Sequence, residues 1–230
     1  MEQLPWLFLF TSFPQLTENA KLIIFVIYRS VQKGEVIMAR PREFDEHQAL
    51  TAAMQVFWEK GYEATSLSDL TSAMGIQRPS LYSTFGDKES LFQAALSLYA
   101  ERSLAFIQKK LESAPSAKAA VLLYLQGVVS SADGHRPELG CLCVNTMVEL
   151  APHHQGFTQF TRVYQQQITE LIQSILEKGK QSGELSETLY APALASAIVI
   201  SAVGLAVTMK SNPDITLVEQ AVQQIILLLD

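Results

Sequence analysis

Apolar residues recur at helical spacing along most of the chain, starting near residue 45. Leu50, Met54 and Phe57 lie three and four residues apart, which predicts a helix that Asp45 caps and Gly61 ends. Similar patterns cover residues 87–112, 117–131, 141–151, 155–181, 188–209 and 213–229. No stretch of useful length alternates as a strand does, so the pattern predicts an all-α chain.

Residues 61–91 predict a helix, a tight turn and a second short helix, followed by the start of a third. Ser66 and Asp69 have the spacing of a capping box, in which each side chain accepts from the other residue's amide. Gly75 follows the first short helix, where glycine adopts a left-handed conformation at little cost. Pro79 stands at the start of the second, where a missing amide hydrogen does no harm. Two such helices form a helix-turn-helix, which can place its second helix in the major groove of DNA.

The second helix offers a polar outer side. Leu81 and Phe85 are four residues apart and should face the domain core. The polar residues left outside are Gln77, Arg78, Ser80, Ser83 and Thr84. Glutamine can pair with adenine, arginine with guanine, and serine or threonine with either. Tyr82 has a hydroxyl that can reach a phosphate. Lys88 is unfavourable for the helix dipole at the start of the next helix, but its charge would suit a phosphate there. The alternative is that all these residues are ordinary solvated side chains.

The stretch GYEATSLSDLTSAMGIQRPSLYSTFGDKESL closely resembles the DNA-binding signature of the tetracycline-repressor (TetR) family of transcriptional regulators. The opening GYEATSLSDL, the turn AMGI and the ending SLYSTFGDKESL all match the family pattern. The resemblance implies a homodimer with an N-terminal three-helix DNA-binding domain. It also implies a larger, all-helical domain that binds an effector.

The same resemblance implies roles for single positions. Thr65 and Ser66 would lie near the DNA backbone at the start of the first helix, and Tyr82 and Lys88 would contact phosphates. Pro79 stands where family members often carry glycine or alanine. The residues implied to face base edges or nearby phosphates are Gln77, Arg78, Pro79, Ser80, Ser83 and Thr84.

These patterns divide the chain into three parts. Residues 38–90 are predicted to form the DNA-binding domain, and residues 91–230 the effector-binding and dimerisation domain. Residues 1–37 carry two apolar runs of seven residues, too short to span a bilayer, and lack the basic start of a secretory signal. We predict a non-native or disordered leader, with translation beginning at Met38, because AAA-GGA-GAA could encode residues 33–35 and act as a ribosome-binding site. The alternative is a leader that associates with a membrane.

Arg40 and Arg42, held extended by Pro41, are predicted to form a short arm in the DNA minor groove. The alternative is an ordinary charged tail. The net charge of the chain is −6, and residues 38–90 contain five Lys/Arg against eight Asp/Glu, which gives −3. This balance excludes a protein that coats nucleic acid non-specifically, so binding must depend on a few placed cations.

The last two predicted helices, 188–209 and 213–229, are expected to form the homodimer interface. The first is apolar nearly all round, and small residues such as Ala193, Ala197 and Ser201 recur at four-residue spacing. Two such helices from each subunit would form a four-helix interface, as the resemblance implies. Pro192, the many Ala and Ser residues and the missing aromatic belt disfavour a membrane span. No membrane partner is therefore expected.

The only two cysteines, Cys141 and Cys143, follow Gly140 at the start of a predicted helix. Backbone amides at that position can lower the pKa of a thiol. Three interpretations stay open: pocket-wall or core residues, a sensor of electrophiles or oxidants at Cys141, and a metal site with His153 and His154. A disulfide between them is not expected, because residues two apart on a helix do not face each other.

An effector pocket is expected among the central helices of residues 91–230, and the effector is an unidentified small molecule. The polar groups predicted to serve it are Cys141, Asn145, Glu149 and His153, with Arg162 nearby. The predicted apolar walls are Phe106, Tyr124, Phe157, Phe160 and Tyr164. Neither a cofactor nor a metal is expected.

The sequence therefore predicts a cytoplasmic, homodimeric repressor that binds a palindromic operator in double-stranded DNA. An effector, or thiol modification near Cys141, would change the separation of the two recognition helices, which must match half-sites about 34–36 Å apart. One alternative is a helical protein that binds drugs or other small molecules without functional DNA binding. An enzyme with Cys141 as nucleophile and His153 or His154 as base is not expected, because nothing fixes their geometry.

Overall fold

The structure, a computed structural model, describes residues 44–130 and 136–229. The predictions for the leader 1–37 and for Arg40 and Arg42 lie outside these residues. Within the described ranges all regular structure is helical, which confirms the predicted all-α fold. The helices are α1 (Glu46–Lys60), α2 (Leu67–Met74), α3 (Arg78–Phe85), α4 (Lys88–Glu112), α5 (Ala117–Val129), α6 (Leu142–Glu149), α7 (Gln155–Gln181), α8 (Ala191–Met209) and α9 (Ile215–Leu227). A 3-10 turn, Pro137–Leu139, precedes α6.

Helix α6 is shorter than the segment 141–151 that the sequence predicts. Cys141 is its N-cap, with an extended backbone (φ −96°, ψ 128°), so the thiol lies just before the first turn. The helix ends at Glu149, because Pro152 has no amide hydrogen and disfavours helical backbone before it. By contrast, α7 keeps the predicted bounds 155–181.

Helices α1, α2, α3 and the first turns of α4 pack around one apolar core. Phe57 of α1 packs edge-on against Phe92 of α4, with 4.8 Å between ring centroids. Leu70 of α2 and Leu81 of α3 are also buried, and Leu81 faces inward as its spacing predicts. Burial of each such side chain contributes roughly 1.5–3 kcal/mol relative to exposure. This packing holds α3 at the surface with its polar side outward.

The turns around α2 follow the predicted capping pattern. The Ser66 Oγ accepts from the Asp69 amide at 3.1 Å, and the Asp69 carboxylate accepts from the Ser66 amide at 2.9 Å. Lys60 donates to the same carboxylate at 2.6 Å, and its hydrogen bond, with those of Ser66, holds the pKa of Asp69 well below its usual range. Gly75 ends the helix at φ +65°, the left-handed conformation that glycine tolerates. These contacts fix how α2 begins and where α3 leaves it.

Helices α5 to α9 and the rest of α4 pack around a second core, which includes Leu125, Ile172 and Ile198. Helices α7 and α8 lie along each other. Helix α7 comes close to the start of α5 at Gly179, where an added Cβ would lie 2.6 Å from the Cβ of Ala117. Any larger residue at position 179 would push these two helices apart.

The start of α5 is capped by a carboxylate from a distant loop. Glu184 accepts from the amides of Ala117 and Lys118 at 2.7 and 2.9 Å. Burial raises the pKa of Glu184, but these hydrogen bonds outweigh it and leave the pKa below its ordinary value. The capping carboxylate and the helix start that it fixes therefore both belong to this second part of the fold.

Helix α8 is, among the described residues, the one helix long and apolar enough to cross a membrane by length and composition. One side of it is buried in the fold through Ala195, Ile198 and Ala202, as in a core helix. On its opposite side Ile200 is 70% exposed, and on α9 Leu217 is 64% exposed. Apolar side chains of both helices thus reach solvent in the segment predicted to form the dimer interface.

Candidate DNA-binding surface and effector cavity

Helix α3 exposes most of the residues predicted to reach DNA. Its N-cap is Gln77, and it begins with Arg78 and Pro79. The exposed members of the predicted set are Gln77, Arg78, Pro79, Tyr82 and Ser83, whereas Ser80 and Thr84 are half-buried. Arg78 and Tyr82 are four residues apart and therefore lie one above the other on the same side of the helix. This side presents a cation and a phenol hydroxyl together.

Lys88, also predicted to contact a phosphate, begins α4 and is half-buried. Its ammonium lies 4.3 Å from the centroid of the Tyr62 ring, within the range of a cation–π interaction. Tyr62 in turn packs against the rings of Phe57 and Phe92, with centroid distances of 6.2 and 5.0 Å. The charge of Lys88 is thus held next to the core of the helix-turn-helix.

Thr65 lies inside the fold, unlike the position that the resemblance implies for it near the DNA backbone. It is 2% exposed, and its hydroxyl donates to the Gly61 carbonyl at 2.6 Å. Its amide donates to the Tyr62 carbonyl at 3.2 Å. Both donors therefore hold the turn between α1 and α2 and are not free to contact a DNA phosphate. Ser66, its neighbour, is exposed and serves as the α2 cap.

Glu149, at the end of α6, contacts the DNA-binding part of the fold. Its carboxylate accepts from the amides of Tyr62 and Glu63 at 3.1 and 2.8 Å. The neighbouring Gly61 has φ +82°, and a Cβ there would lie 3.1 Å from the same carboxylate. Glu149 is thus a cap on the turn that leads from α1 into α2. Its predicted place in the effector pocket is corrected, because it does not line the cavity.

Two further contacts join α1 to the segment that precedes α6. The Trp58 indole donates to the Gly140 carbonyl at 2.9 Å. Arg136 makes ion pairs with Glu59 at 2.6 Å and with Glu138 at 3.1 Å. These pairs are exposed and contribute only modestly to stability. Helix α1 is thus tied to both ends of the α6 region.

A cavity of about 410 Å³ lies between α1, α4, α5, α6, α7 and α8. Phe106, Tyr124 and Tyr164 line it, as the sequence predicts, together with Trp58 and Tyr99. The predicted walls Phe157 and Phe160 do not. Phe157 packs instead against Phe92, with 5.4 Å between centroids. Trp58 was missed because its contribution depends on how α1 meets the segment before α6, more than eighty residues later.

Of the four predicted effector groups, only Cys141 lines the cavity. Asn145 instead donates to the Leu139 carbonyl at 2.9 Å and accepts from Lys210 at 2.8 Å. His153 is exposed, and Arg162 does not line the cavity either. Each residue of a helix advances about 1.5 Å along its axis, so Asn145 lies about 6 Å further along than Cys141. Of the predicted polar groups, the first, Cys141, therefore faces the cavity, and those that follow it along α6 lie beyond the cavity.

The Cys141 thiol lies among hydrogen-bonding groups at the cavity wall. Its sulfur is 3.9 Å from the Tyr164 hydroxyl oxygen. A hydrogen bond from the Cys143 thiol, with others from the Val144 amide and the Tyr99 hydroxyl, outweighs burial and lowers the pKa of Cys141 to about 6. Burial raises the pKa of Cys143. The sequence predicts that both thiols lie on one helix and face apart, but Cys141 precedes the helix and interacts with Cys143.

Tyr124 lines the same cavity from α5 and is 8% exposed. Burial, and the nearby Cys141, raise the pKa of its phenol well above the usual range. The hydroxyl is therefore a neutral donor at any physiological pH.

In the part of the chain that the structure describes, no three His, Cys, Asp or Glu side chains come together as a metal site. The metal interpretation of the cysteines thus has no ligand set in these residues.

Two family models match the chain. The model described as "Bacterial regulatory proteins, tetR family" matches residues 49–95. The model described as "Tetracyclin repressor-like, C-terminal domain" matches residues 117–225.

Curated and solved proteins are similar over much of the chain. The uncharacterized HTH-type transcriptional regulator YezE of Bacillus subtilis is 36% identical over 65% of this chain and 77% of its own. The HTH-type transcriptional repressor ComR of Escherichia coli is 38% identical over 49% of this chain and 54% of its own. A cysteine mutant of the TetR family regulator CifR, solved in complex with 26-bp double-strand operator DNA, is 32% identical with a TM-score of 0.72. That match covers 81% of this chain and 97% of the CifR chain.

Proposed function

Because the chain belongs to the TetR family of DNA-binding transcriptional regulators, which are not enzymes, we propose that it is a repressor. It binds a palindromic operator as a homodimer and leaves it when an effector, or modification of Cys141, acts at the cavity. The observation that carries the DNA-binding part is the exposed side of α3, with Arg78 and Tyr82 one above the other.

The proposed contacts divide into bases and phosphates. Gln77 and Arg78, at the N-terminus of α3, are suited to base edges in the major groove, as are Ser80, Ser83 and Thr84. Tyr82 and Lys88 are suited to phosphates, which position the helix without reading sequence. Ser66 and Pro79 would lie beside the DNA backbone. The relative CifR, solved in complex with operator DNA, supports double-stranded DNA as the partner.

The repressor role and the dimer have separate support. The relative ComR is named a repressor. The apolar side chains exposed on α8 and α9, such as Ile200 and Leu217, would be covered by the same helices of a second subunit. Such a dimer presents α3 twice, as a palindrome requires. With two free cysteines and no disulfide in the described residues, we also propose a cytoplasmic protein.

Effector binding is coupled to DNA binding through α6 and α1. The cavity is lined by Cys141 next to α6 and by Trp58 of α1. Glu149 at the other end of α6 caps the turn that leads into α2. A ligand that displaces the start of α6 would therefore move this turn, and with it the orientation of α3. Helix α4 runs from the helix-turn-helix to the cavity and provides a second route.

A mobility-shift experiment with the DNA flanking the protein's own gene tests the proposal. Arg78→Ala should weaken binding by about tenfold or more, because a lost bidentate base contact costs roughly 1–3 kcal/mol. Arg162→Ala removes an equal charge from an exposed position of α7 and should leave binding unchanged. Equal loss on every sequence would make Arg78 a phosphate contact. No preference for any duplex over random competitor would overturn the proposal in favour of a small-molecule-binding protein.

A further inference from the structure

Tyr124 carries a buried hydroxyl for which no described residue acts as a hydrogen-bond partner. A phenol hydroxyl can donate and accept, and buried polar groups are almost always paired. Every fully enclosed side-chain oxygen among the described residues has a partner, so this hydroxyl must open onto the cavity. The Tyr124 hydroxyl is thus a donor that a ligand with a matching acceptor can use.

Cys141 brings a nucleophile to the same cavity. Its thiol is free and lines the wall, and its low pKa makes it largely thiolate at neutral pH. Tyr124 lies close enough for the charge of Cys141 to raise the pKa of its phenol. A single small molecule in this cavity can therefore meet both groups.

The remaining wall is mostly apolar, with Arg102 and Lys110 as its charged members, and so favours a ligand with an apolar body. Trp58, Tyr99 and Phe106 supply aromatic surface, and Val199 and Ala202 supply aliphatic surface. The volume of about 410 Å³ falls within the range of small-molecule sites. A small polar oxidant such as a peroxide would leave this apolar surface uncovered.

We propose that the cavity binds an apolar α,β-unsaturated carbonyl compound and that Cys141 adds to it covalently. The carbonyl oxygen accepts a hydrogen bond from Tyr124, which directs the β-carbon of the ligand toward the Cys141 sulfur. The release of DNA by this adduct rests on the proposed function, but the chemistry of the adduct does not.

The addition needs no further reactant. The thiolate sulfur forms a bond to the β-carbon, the C=C π bond breaks, and its electron pair moves to the carbonyl oxygen as an enolate. Tyr124 stabilises that oxygen by hydrogen bonding, as a donor in an oxyanion hole does. The proton lost from the thiol returns at the α-carbon. The product is a saturated thioether, and no net oxidation or reduction occurs.

Intact-mass kinetics with 2-cyclohexen-1-one as the probe test this chemistry. The protein should gain one probe mass, and Cys141→Ser, which retains Cys143, should gain none. Cyclohexanone has the same ring and carbonyl but lacks the C=C double bond that makes the β-carbon reactive, so it should add nothing and should slow the addition of the enone. Absence of an adduct, or an adduct that persists in Cys141→Ser, would overturn the proposal.

Tyr124→Phe tests the hydrogen bond, because it keeps the ring and removes only the hydroxyl. Enone addition should slow by about tenfold or more, since charge develops on the oxygen that Tyr124 contacts. Alkylation by iodoacetamide, which develops no such charge, should change by less than about twofold. Tyr190→Phe, at an exposed position before α8, is the matched control. Equal slowing with both reagents would leave Tyr124 no role in carbonyl recognition and would overturn this part.

The operator complex separates this proposal from the proposed function. If the protein adds the enone but keeps its operator affinity, the proposed ligand class stands and the proposed regulatory role is overturned. If the protein binds operator and reacts readily with hydrogen peroxide but not with the enone, only the proposed ligand class is overturned.

Discussion

The two ends of α6 belong to different regions of the molecule. At its start Cys141 opens onto the effector cavity among aromatic rings. At its end Glu149 accepts from the amides of Tyr62 and Glu63, in the turn before the helix-turn-helix. The helix has eight residues and is therefore about 12 Å long. One short element joins a group that faces a ligand to a turn that positions DNA contacts.

The two ends differ in whether a ligand can reach them. Cys141 lines the cavity, and its sulfur lies 3.9 Å from the Tyr164 hydroxyl oxygen. Glu149 makes two charge-assisted hydrogen bonds to backbone, which are roughly twice as strong as neutral ones. A ligand can therefore displace the first end, while the second passes the displacement on. This difference is what a transmitting element requires.

Removing the cap that Glu149 forms at the end of α6 should have the largest effect. Glu149→Gln replaces one acceptor oxygen with an amide that opposes a backbone donor, so we expect a loss of about 1–2 kcal/mol in the free energy of unfolding. Because the turn before α2 is no longer fixed, operator affinity should also fall, by about tenfold. Thermal unfolding and operator titration measure the two quantities.

Glu184→Gln is the matched control for this prediction. Glu184 caps two amides of α5 in the same way, and both lie in the second part of the fold rather than in the helix-turn-helix. It should lose comparable stability and keep its operator affinity. If Glu149 couples the two ends of α6, bound operator should also change the surroundings of Cys141 and hence the rate at which iodoacetamide alkylates it in the parent. This difference should disappear in Glu149→Gln. Equal loss of operator affinity in both variants would reduce Glu149 to a stability role.

The contrast between the ends of α6 also shows what the sequence can predict. The capping box of Ser66 and Asp69 and the left-handed Gly75 depend on neighbours within a few residues, and the structure has both. The cap by Glu149 joins residues 86 and 87 positions apart, so no local pattern indicates it. The same holds for Tyr124, whose lack of a partner depends on five other helices around the cavity. Helices and their ends could be predicted, whereas the long-range partners of polar groups could not.

The pH dependence of Cys141 alkylation tests the surroundings of the thiol at the start of α6. The hydrogen bond from Cys143 is the largest cause that lowers the pKa of Cys141 to about 6. Cys143→Ala removes it, so the midpoint of the pH–rate profile for alkylation by iodoacetamide should move upward from about 6 toward the ordinary value of about 8.5. An unchanged midpoint would assign the low pKa to the backbone amides and Tyr99 instead.

The same pKa sets a direction for stability. Because the folded-state pKa of Cys141 lies below the unfolded one, the thiolate contributes stability that is complete above about pH 8.5. This contribution is lost as the pH falls through about 6. The unfolding midpoint of the parent should therefore fall over that window, and that of Cys141→Ser should fall less. Parallel curves for the two proteins would contradict this sign.

The smallest expected effect concerns Lys88, which lies over the ring of Tyr62. The Tyr62 amide is one of the two that Glu149 caps. Lys88→Met keeps the aliphatic contact with the ring and removes the charge, so the cation–π loss should be only about 0.5–1 kcal/mol. If the ammonium also meets a phosphate, the slope of log affinity against log salt should shrink by about one. Lys178→Met, at an exposed position of α7, should leave that slope unchanged. A slope equal to that of the parent would restrict Lys88 to Tyr62, so that the α4 start would hold the Glu149-capped turn without contacting DNA.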